Sequence, residues 1–181
     1  MNDGDPGGAG EALRRVAVNL FHGYGYNYYR EENQLRADDQ RIRRMVTELL
    51  QRARKGLSLA ESAYRREQFP PPSREQPFPP AEAQANARRL ETLALAVSAL
   101  DGEIAHLPVP GNDFMSQRFR NEADTLKRLC QMDVELVDEA QTLTSSVEGR
   151  TYTDLLTEAG TIEYAISAVK AKLLERQALL V

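Results

Sequence analysis

The sequence predicts an all-α protein, an antiparallel up-down bundle of four long helices with a short helical extension at its N-terminus. Apolar residues recur at three- and four-residue spacing along most of the chain, which is the periodicity of amphipathic helices, and no segment alternates convincingly as a strand does. Prolines and glycines concentrate in a few short segments, where helices are expected to end. At 181 residues the chain is long enough to enclose a substantial core.

The N-terminal part is predicted to contain a disordered lead followed by one short helix. Residues 1–10 include four glycines, a proline and two aspartates, a composition typical of disorder. A helical pattern then runs from Glu11 to about His22. Gly23 and Gly25 favour a kink after it, because each interior glycine costs about 1 kcal/mol relative to alanine.

Helix 1, the longest predicted helix, follows the kink and extends to Arg66. Its apolar residues trace a single stripe that would span about 60 Å at a rise of 1.5 Å per residue. A helix of that length is typical of bundles and coiled coils. The stripe consists of Leu35, Ile42, Val46, Leu49, Ala53, Leu57, Ala60 and Tyr64.

A proline-rich connector, residues 69–80, separates helix 1 from helix 2. Its sequence, FPPPSREQPFPP, has six prolines in twelve residues, which neither a helix nor a central strand tolerates. The favoured interpretation is an extended spacer at the end of the bundle. In the alternative, PFPP and FPPP dock into an aromatic groove on a partner. In either case residues 11–181 are predicted to form a single domain.

Three further helices complete the predicted bundle. Helix 2 should start directly after the connector and stop at the LPVPGND segment. Helix 3 should run from about Phe114 to Val147, and Gly149 marks its end. Helix 4 begins near Thr151, which with Asp154 three residues later resembles a capping box, and continues to near the C-terminus.

Composition and charge exclude several functional classes. The net charge of -4 provides no global basic field that would draw the molecule onto nucleic acid or anionic lipid. Cys130 is the single cysteine and lies in an apolar pattern, so no intramolecular disulfide can form. We find neither a signal peptide pattern nor an apolar run of about 20 residues. We therefore expect a cytoplasmic protein, and its excess of arginine over lysine is typical of a GC-rich bacterial genome.

The net charge hides an uneven distribution. Residues 36–66 contain nine basic and four acidic side chains, whereas residues 121–163 contain ten acidic and three basic ones. In one interpretation these are solvated helix faces that attract each other within the bundle. In the other, they steer a charged partner or a second copy of the chain.

Glu103 and His106 form the most suggestive pair for chemistry. The spacing Glu-x-x-His places both side chains on one helical face, as the di-iron carboxylate bundles require. Such a site also needs a second Glu-x-x-His and two more glutamates. The other histidine, His22, lies within FHGYG with Arg14 and Arg15 upstream, so the ligand set is incomplete. One cysteine and two histidines also fall short of a structural zinc site. We therefore predict no metal, no cofactor and no enzymatic activity.

The tyrosine-rich segment FHGYGYNYY is the most distinctive local feature of the chain. Phe21, Tyr24 and Tyr28 share one helical face, in phase with the apolar stripe of helix 1, and are predicted to cap the core. Stacking on single-stranded nucleic acid is disfavoured, because Glu31 and Glu32 follow directly and would repel a phosphate backbone.

The remaining tyrosines of this segment are the predicted binding residues. Tyr26 and Tyr29 are out of phase with the core face and are expected to point away from it, and Arg30 follows Tyr29 directly. Aromatic residues and arginine are enriched at protein interfaces. Together with Arg43 and Arg44 of helix 1, these residues form the predicted partner-binding set.

The preferred function is a non-enzymatic protein–protein interaction module, either a self-assembling scaffold or an adaptor. Its partner is expected to be another protein or a second copy of the chain, with a homo-oligomer as the expected state. Two alternatives belong to other classes. One is a helical-bundle enzyme or a metal or cofactor carrier that uses Glu103 and His106; the other is a nucleic-acid or anionic-membrane binder that uses the arginines of helix 1.

Overall fold

The computed structural model describes residues 28–106 and 123–180, with the backbone alone for 28–39, 123–127, 129–130 and 179–180. Five helices pack around one apolar core, so the predicted all-α bundle is confirmed. The predicted N-terminal lead, the short helix, the kink and the start of helix 3 lie outside the described residues. The helices are α1 (Tyr28–Gln68), α2 (Ala81–Ala105), α3 (Ala123–Val147), α4 (Tyr152–Thr157) and α5 (Ala159–Leu180).

The long helix α1 carries the predicted apolar stripe. Its described members are all buried, and Leu50 joins them because α1 is covered by α2 on one side and by α3 on the other. At 41 residues α1 is much longer than α2, which has 25 residues. The buried side chains of α1 are Ile42, Val46, Leu49, Leu50, Ala53, Leu57, Ala60 and Tyr64.

Helices α1 and α2 run in opposite directions across the proline-rich connector, which contains no helix, as predicted. The Gln51 amide donates a 3.4 Å hydrogen bond to Asp101 near the end of α2. The Asn86 amide, near the start of α2, donates a 3.2 Å hydrogen bond to the Tyr64 hydroxyl. These two contacts fix the antiparallel register of the pair.

Helices α1 and α3 are neighbours that run in the same direction. The buried Thr144 hydroxyl donates a 3.0 Å hydrogen bond to the carbonyl oxygen of Leu49. One turn later along both helices, Arg52 pairs with Glu148 at 2.5 Å. The up-down arrangement of four continuous helices stays a prediction, since the connection from α2 to α3 lies outside the described residues.

The last helix pair is held by charged side chains. Arg176 of α5 pairs with Asp133 of α3 at 2.5 Å, and Lys172 pairs with Glu135 at 2.9 Å, which makes α3 and α5 antiparallel. Toward α2, Lys170 of α5 pairs with Glu103 at 3.2 Å. The acidic α3 is therefore linked to cations of α5 as well as to Arg52 of α1.

Predicted helix 4 is divided into α4 and α5, which differs from the single continuous helix expected. Glu158 lies at the junction, and its carbonyl oxygen accepts hydrogen bonds from the amides of both Thr161 and Ile162. The Thr157 hydroxyl donates to the carbonyl oxygen of Thr153, a contact that bends helices, and Gly160 follows with its low helix propensity. These local preferences interrupt the helix although its apolar periodicity continues.

The predicted turn before α4 is confirmed. Gly149 has a φ of 74°, which a residue with a side chain adopts only with strain, so α3 ends there. Thr151 and Asp154 form a reciprocal capping box, with each side chain bonded to the backbone amide of the other. Hydrogen bonds from Thr151 lower the pKa of the Asp154 carboxyl. Asp154 therefore fills the third position of the capping box, at which glutamate or glutamine is usual.

Gly56 marks the closest approach of α1 to α3. A Cβ atom added there would lie 2.8 Å from Cγ1 of Val147. We expect Gly56→Ala to destabilise the protein by about 1 kcal/mol, because overpacking costs about 1–3 kcal/mol while the gain in helix propensity returns about 1 kcal/mol. Urea titration followed by circular dichroism measures this change.

Gly102 of α2 provides the matched control, because no atom lies within 4 Å of a Cβ built there. Gly102→Ala should raise stability by up to about 1 kcal/mol through helix propensity alone. We therefore expect the two substitutions to change the free energy of unfolding in opposite directions. Equal stabilisation by both substitutions would contradict a close contact at Gly56.

Candidate interaction surface

The predicted binding residues are distributed along the first half of α1. Tyr26 lies outside the described residues, and Tyr29 and Arg30 lie in the first turn, where the backbone alone is described. Arg43 and Arg44 follow about 20 Å further along the helix. Arg43 is half-buried on the flank of the helix, whereas Arg44 is exposed. The structure therefore places Tyr29, Arg30, Arg43 and Arg44 on one helix, with the first pair about 20 Å from the second.

An outer stripe of exposed residues runs along α1 opposite its buried face. Arg44, Lys55 and Arg66 recur every eleven residues, close to three helical turns, so they align at intervals of about 16 Å. Leu59 lies one turn after Lys55 on the same face and is 61% exposed. The outer stripe consists of Arg41, Arg44, Glu48, Lys55, Leu59, Ser62 and Arg66.

Ion pairs within the bundle account for only part of the basic charge of α1. Arg52 pairs with Glu148 of α3, and Arg65 pairs with Glu91 of α2 at 3.4 Å. Among the described residues, Arg44 and Lys55 have no ion-pair partner. The interpretation that helix 1 is neutralised by the acidic helices therefore holds for Arg52, but not for the centre of the outer stripe.

An aromatic and polar cluster closes the connector end of the bundle. The rings of Tyr64 and Tyr152 meet edge to face with centroids 5.3 Å apart. The Tyr152 hydroxyl donates a 2.8 Å hydrogen bond to Glu67, which raises the pKa of Tyr152. Sequence reasoning placed Tyr64 in the core but missed Tyr152. No local pattern links two tyrosines on α1 and α4.

A buried ion pair between α3 and α5 was also missed. Asp133 and Arg176 are each 2% exposed. Asp133 falls one turn before the buried Leu136, and Arg176 falls one turn after the buried Leu173, so both occupy positions on apolar stripes. Opposite charges at such positions on two helices are the sequence signal that indicates a buried pair.

Charged side chains near this pair are already engaged by each other. Lys172 donates a 2.9 Å hydrogen bond to Glu175 and pairs with Glu135, and these contacts raise the pKa of Lys172. The contact with Lys172, together with a hydrogen bond from the Gln131 amide, lowers the pKa of Glu135. Of these contacts, the pair between Lys172 and Glu135 links α5 to α3.

Glu103 and His106, the pair considered for metal binding, have separate partners. Glu103 accepts a hydrogen bond from Lys170 at 3.2 Å. The Nδ1 atom of His106 lies 2.7 Å from the carbonyl oxygen of Gly102 in its own helix. Across residues 28–106 and 123–180, no group of three or more histidine, cysteine, aspartate or glutamate side chains is arranged to hold a metal ion.

No family model, curated protein or solved structure matches this chain. Each helix in the described ranges is too short or too polar to traverse a lipid bilayer. The fold and the surface define an all-α bundle whose longest helix displays an exposed basic stripe.

Proposed function

We propose that the protein is a non-enzymatic, self-assembling interaction module in which the outer stripe of α1 binds an acidic surface on a second copy. The observation that carries this proposal is the exposure of Arg44 and Lys55 beside Leu59, without ion-pair partners among the described residues. The two cations would steer an acidic partner toward this face, and the leucine side chain would supply apolar area to bury in the contact.

Charge complementarity supports a second copy as the partner. The chain carries its own acidic region, residues 121–163, with ten acidic and three basic side chains, of which Asp133, Glu135 and Glu148 pair within the bundle. The basic region, residues 36–66, has the opposite balance. A contact between different surfaces of two copies is heterologous, and it produces a ring or a filament according to the rotation between copies. Such an assembly would serve as a scaffold.

The tyrosine-rich segment precedes the outer stripe in sequence, and we propose that it belongs to the same interface. Tyr29 and Arg30 lie in the first turn of α1 and Tyr26 precedes the helix in sequence; tyrosine and arginine are enriched among the residues that dominate interface energetics. These residues would contact another protein if the module acts as an adaptor.

Charge reversal tests the proposed surface. We expect Arg44→Glu combined with Lys55→Glu to raise the dissociation constant of the assembly by at least about tenfold, because attraction becomes repulsion at the interface. Arg88→Glu, at an exposed position of α2, is the matched control and should leave assembly unchanged. Light scattering after size exclusion gives the mass of each variant.

Salt provides a second arm of the same experiment. Assembly of the unmodified protein should weaken as ionic strength rises, since the screening length falls from about 10 Å at 0.1 M to about 3 Å at 1 M. A monomer at every concentration and salt level would contradict the proposal. Assembly that tolerates the double reversal would exclude the outer stripe as its site.

Tyrosine substitutions test the N-terminal part of the surface in the same assay. Tyr26→Ala and Tyr29→Ala should weaken assembly. Phe78→Ala is the control, because Phe78 is 75% exposed in the connector, outside both the outer stripe and the acidic region. Equal loss in all three variants would indicate a general effect of removing exposed aromatic area.

A second candidate function is the binding of a polyanion by the same exposed cations. Arg44 and Lys55 are available for phosphates, although the net charge of -4 opposes long-range attraction. Titration with duplex DNA or with phosphatidylserine vesicles should then show affinity that falls steeply with salt. The absence of binding at low salt would exclude polyanion binding, and it would not count against the proposed self-assembly.

A further inference from the structure

We propose that the second half of the connector, residues 77–80 with the sequence PFPP, is a docking peptide. Its partner is a domain of another protein that binds polyproline II ligands in a groove lined by aromatic side chains. The peptide lies at the opposite end of α1 from the tyrosine-rich segment and carries no charge. This proposal therefore does not depend on self-assembly through the outer stripe.

The chemistry of proline fixes the conformation of this peptide. The rings of Pro77, Pro79 and Pro80 hold φ near -65°. Phe78 and Pro79 each precede a proline, which restricts them to extended or polyproline II geometry. Pro80 itself has φ -52° and ψ 142°, close to polyproline II values. The chain bends at Phe78, and Pro80, at the end of the segment, already has the conformation that aromatic grooves recognise.

The peptide presents three of its four side chains to solvent. Pro77, Phe78 and Pro80 are exposed. Pro79 is half-buried, and its carbonyl oxygen accepts a 2.8 Å hydrogen bond from the Gln84 amide. The bundle thus holds Pro79 and leaves the other three side chains accessible to a partner.

Phe78 is the residue that a simple spacer does not explain. Its ring is 75% exposed, whereas Phe69, the other phenylalanine of the connector, packs against the core. Helix–helix connections in bundles usually need about 2–8 residues, and this connector has twelve. An exposed aromatic ring between prolines adds apolar area that only a partner would bury.

The connector is anchored at its start, in its middle and, through the Gln84 amide, near its end, which reduces the entropy lost on binding. At the first end, the Arg65 guanidinium lies 5.5 Å from the centroid of the Phe69 ring. In the middle, the Ser73 amide donates to the carbonyl oxygen of Gln76, and the Gln76 amide donates to the Ser73 hydroxyl. Such preorganisation increases affinity without adding contacts.

Fluorescence titration with known polyproline-binding domains tests the proposal. Purified SH3, WW and EVH1 domains carry tryptophan in their grooves, and this chain contains tyrosine but no tryptophan, so emission excited at wavelengths beyond tyrosine absorption reports the domain alone. We expect a saturable change on adding the full chain to at least one domain. Pro77→Ala and Phe78→Ala should each weaken that binding by about tenfold or more.

Pro71→Ala, in the exposed first proline run, is the matched control and should leave the affinity unchanged. Thermal unfolding should be the same for all variants, since the substituted side chains are exposed. The proposal is overturned if no domain binds, if Pro71→Ala is as damaging as Pro77→Ala, or if binding survives Phe78→Ala. Self-association that is lost in Pro77→Ala would identify a second copy as the occupant and would equally overturn it.

Discussion

Replacing Asp133 by alanine is expected to lower the free energy of unfolding by about 3–5 kcal/mol, the typical cost of leaving one buried charge without its partner. Arg176 pairs with Asp133 at 2.5 Å, and both residues are 2% exposed. Water cannot solvate the guanidinium that remains. Arg176→Met should cost a similar amount, because it leaves the carboxylate in the same position. Urea titration measures both values.

A double substitution tests whether the single substitutions are costly because they leave a buried charge unpaired or because the ion pair itself stabilises the fold. Asp133→Leu with Arg176→Met should recover most of the stability, since apolar replacement of a buried ion pair is often neutral or stabilising. Lys170→Ala is the control at the exposed pair with Glu103 and should cost at most about 1 kcal/mol. Single substitutions at Asp133 that cost no more than this control would contradict a buried pair.

Leu57→Ala is expected to destabilise the protein by about 2–5 kcal/mol, the range for truncating a buried leucine. Leu57 is fully buried between α1 and its neighbours, so its removal leaves a cavity in the core. Leu59→Ala, two residues later on the same helix, should cost less than about 0.5 kcal/mol because that side chain is mostly exposed. Thermal unfolding distinguishes the two variants.

The same two substitutions distinguish an effect on folding stability from an effect on self-assembly. Leu59→Ala should keep the fold and weaken self-assembly, since Leu59 lies in the outer stripe. Leu57→Ala should reduce assembly only to the extent that it unfolds the protein. Comparable destabilisation by both substitutions would mean that α1 has no free outer face.

Much of the fold could be predicted because helical periodicity reports burial directly. The spacing of apolar residues from Ile42 to Tyr64 indicated the buried face of α1, and the described side chains confirm it. Gly149 and the Thr151–Asp154 pair indicated the turn before α4, because each has a local mechanism that ends or starts a helix. Signals of this kind depend on residues close in sequence.

Features that depend on distant residues could not be predicted in the same way. The contact between Gly56 and Val147 requires knowing that α1 and α3 are neighbours, which their sequences do not specify. The break at Glu158 arises from side-chain hydrogen bonding by Thr157, which the apolar pattern of helix 4 does not show. Tertiary packing produced the Gly56–Val147 contact, and local hydrogen bonding produced the break at Glu158.

The candidate surface was predicted only in part. Arg43 and Arg44 are adjacent in sequence and were assigned together, but their side chains leave α1 in different directions and only Arg44 is exposed. Lys55 and Leu59 were not selected as binding residues, although their spacing from Arg44 places them on one face. Knowing which face of α1 the bundle covers was necessary to recognise the outer stripe.

Photo-cross-linking from position 59 tests the proposed assembly most directly. A benzoylphenylalanine residue in place of Leu59 lies in the outer stripe and reacts only with groups in contact with it. We predict covalent products at multiples of the monomer mass at low salt, beginning with the dimer, and with the cross-linked peptides derived from residues 121–163 of a second copy. A product that stays monomeric, or cross-links that fall outside this acidic region, would contradict the account.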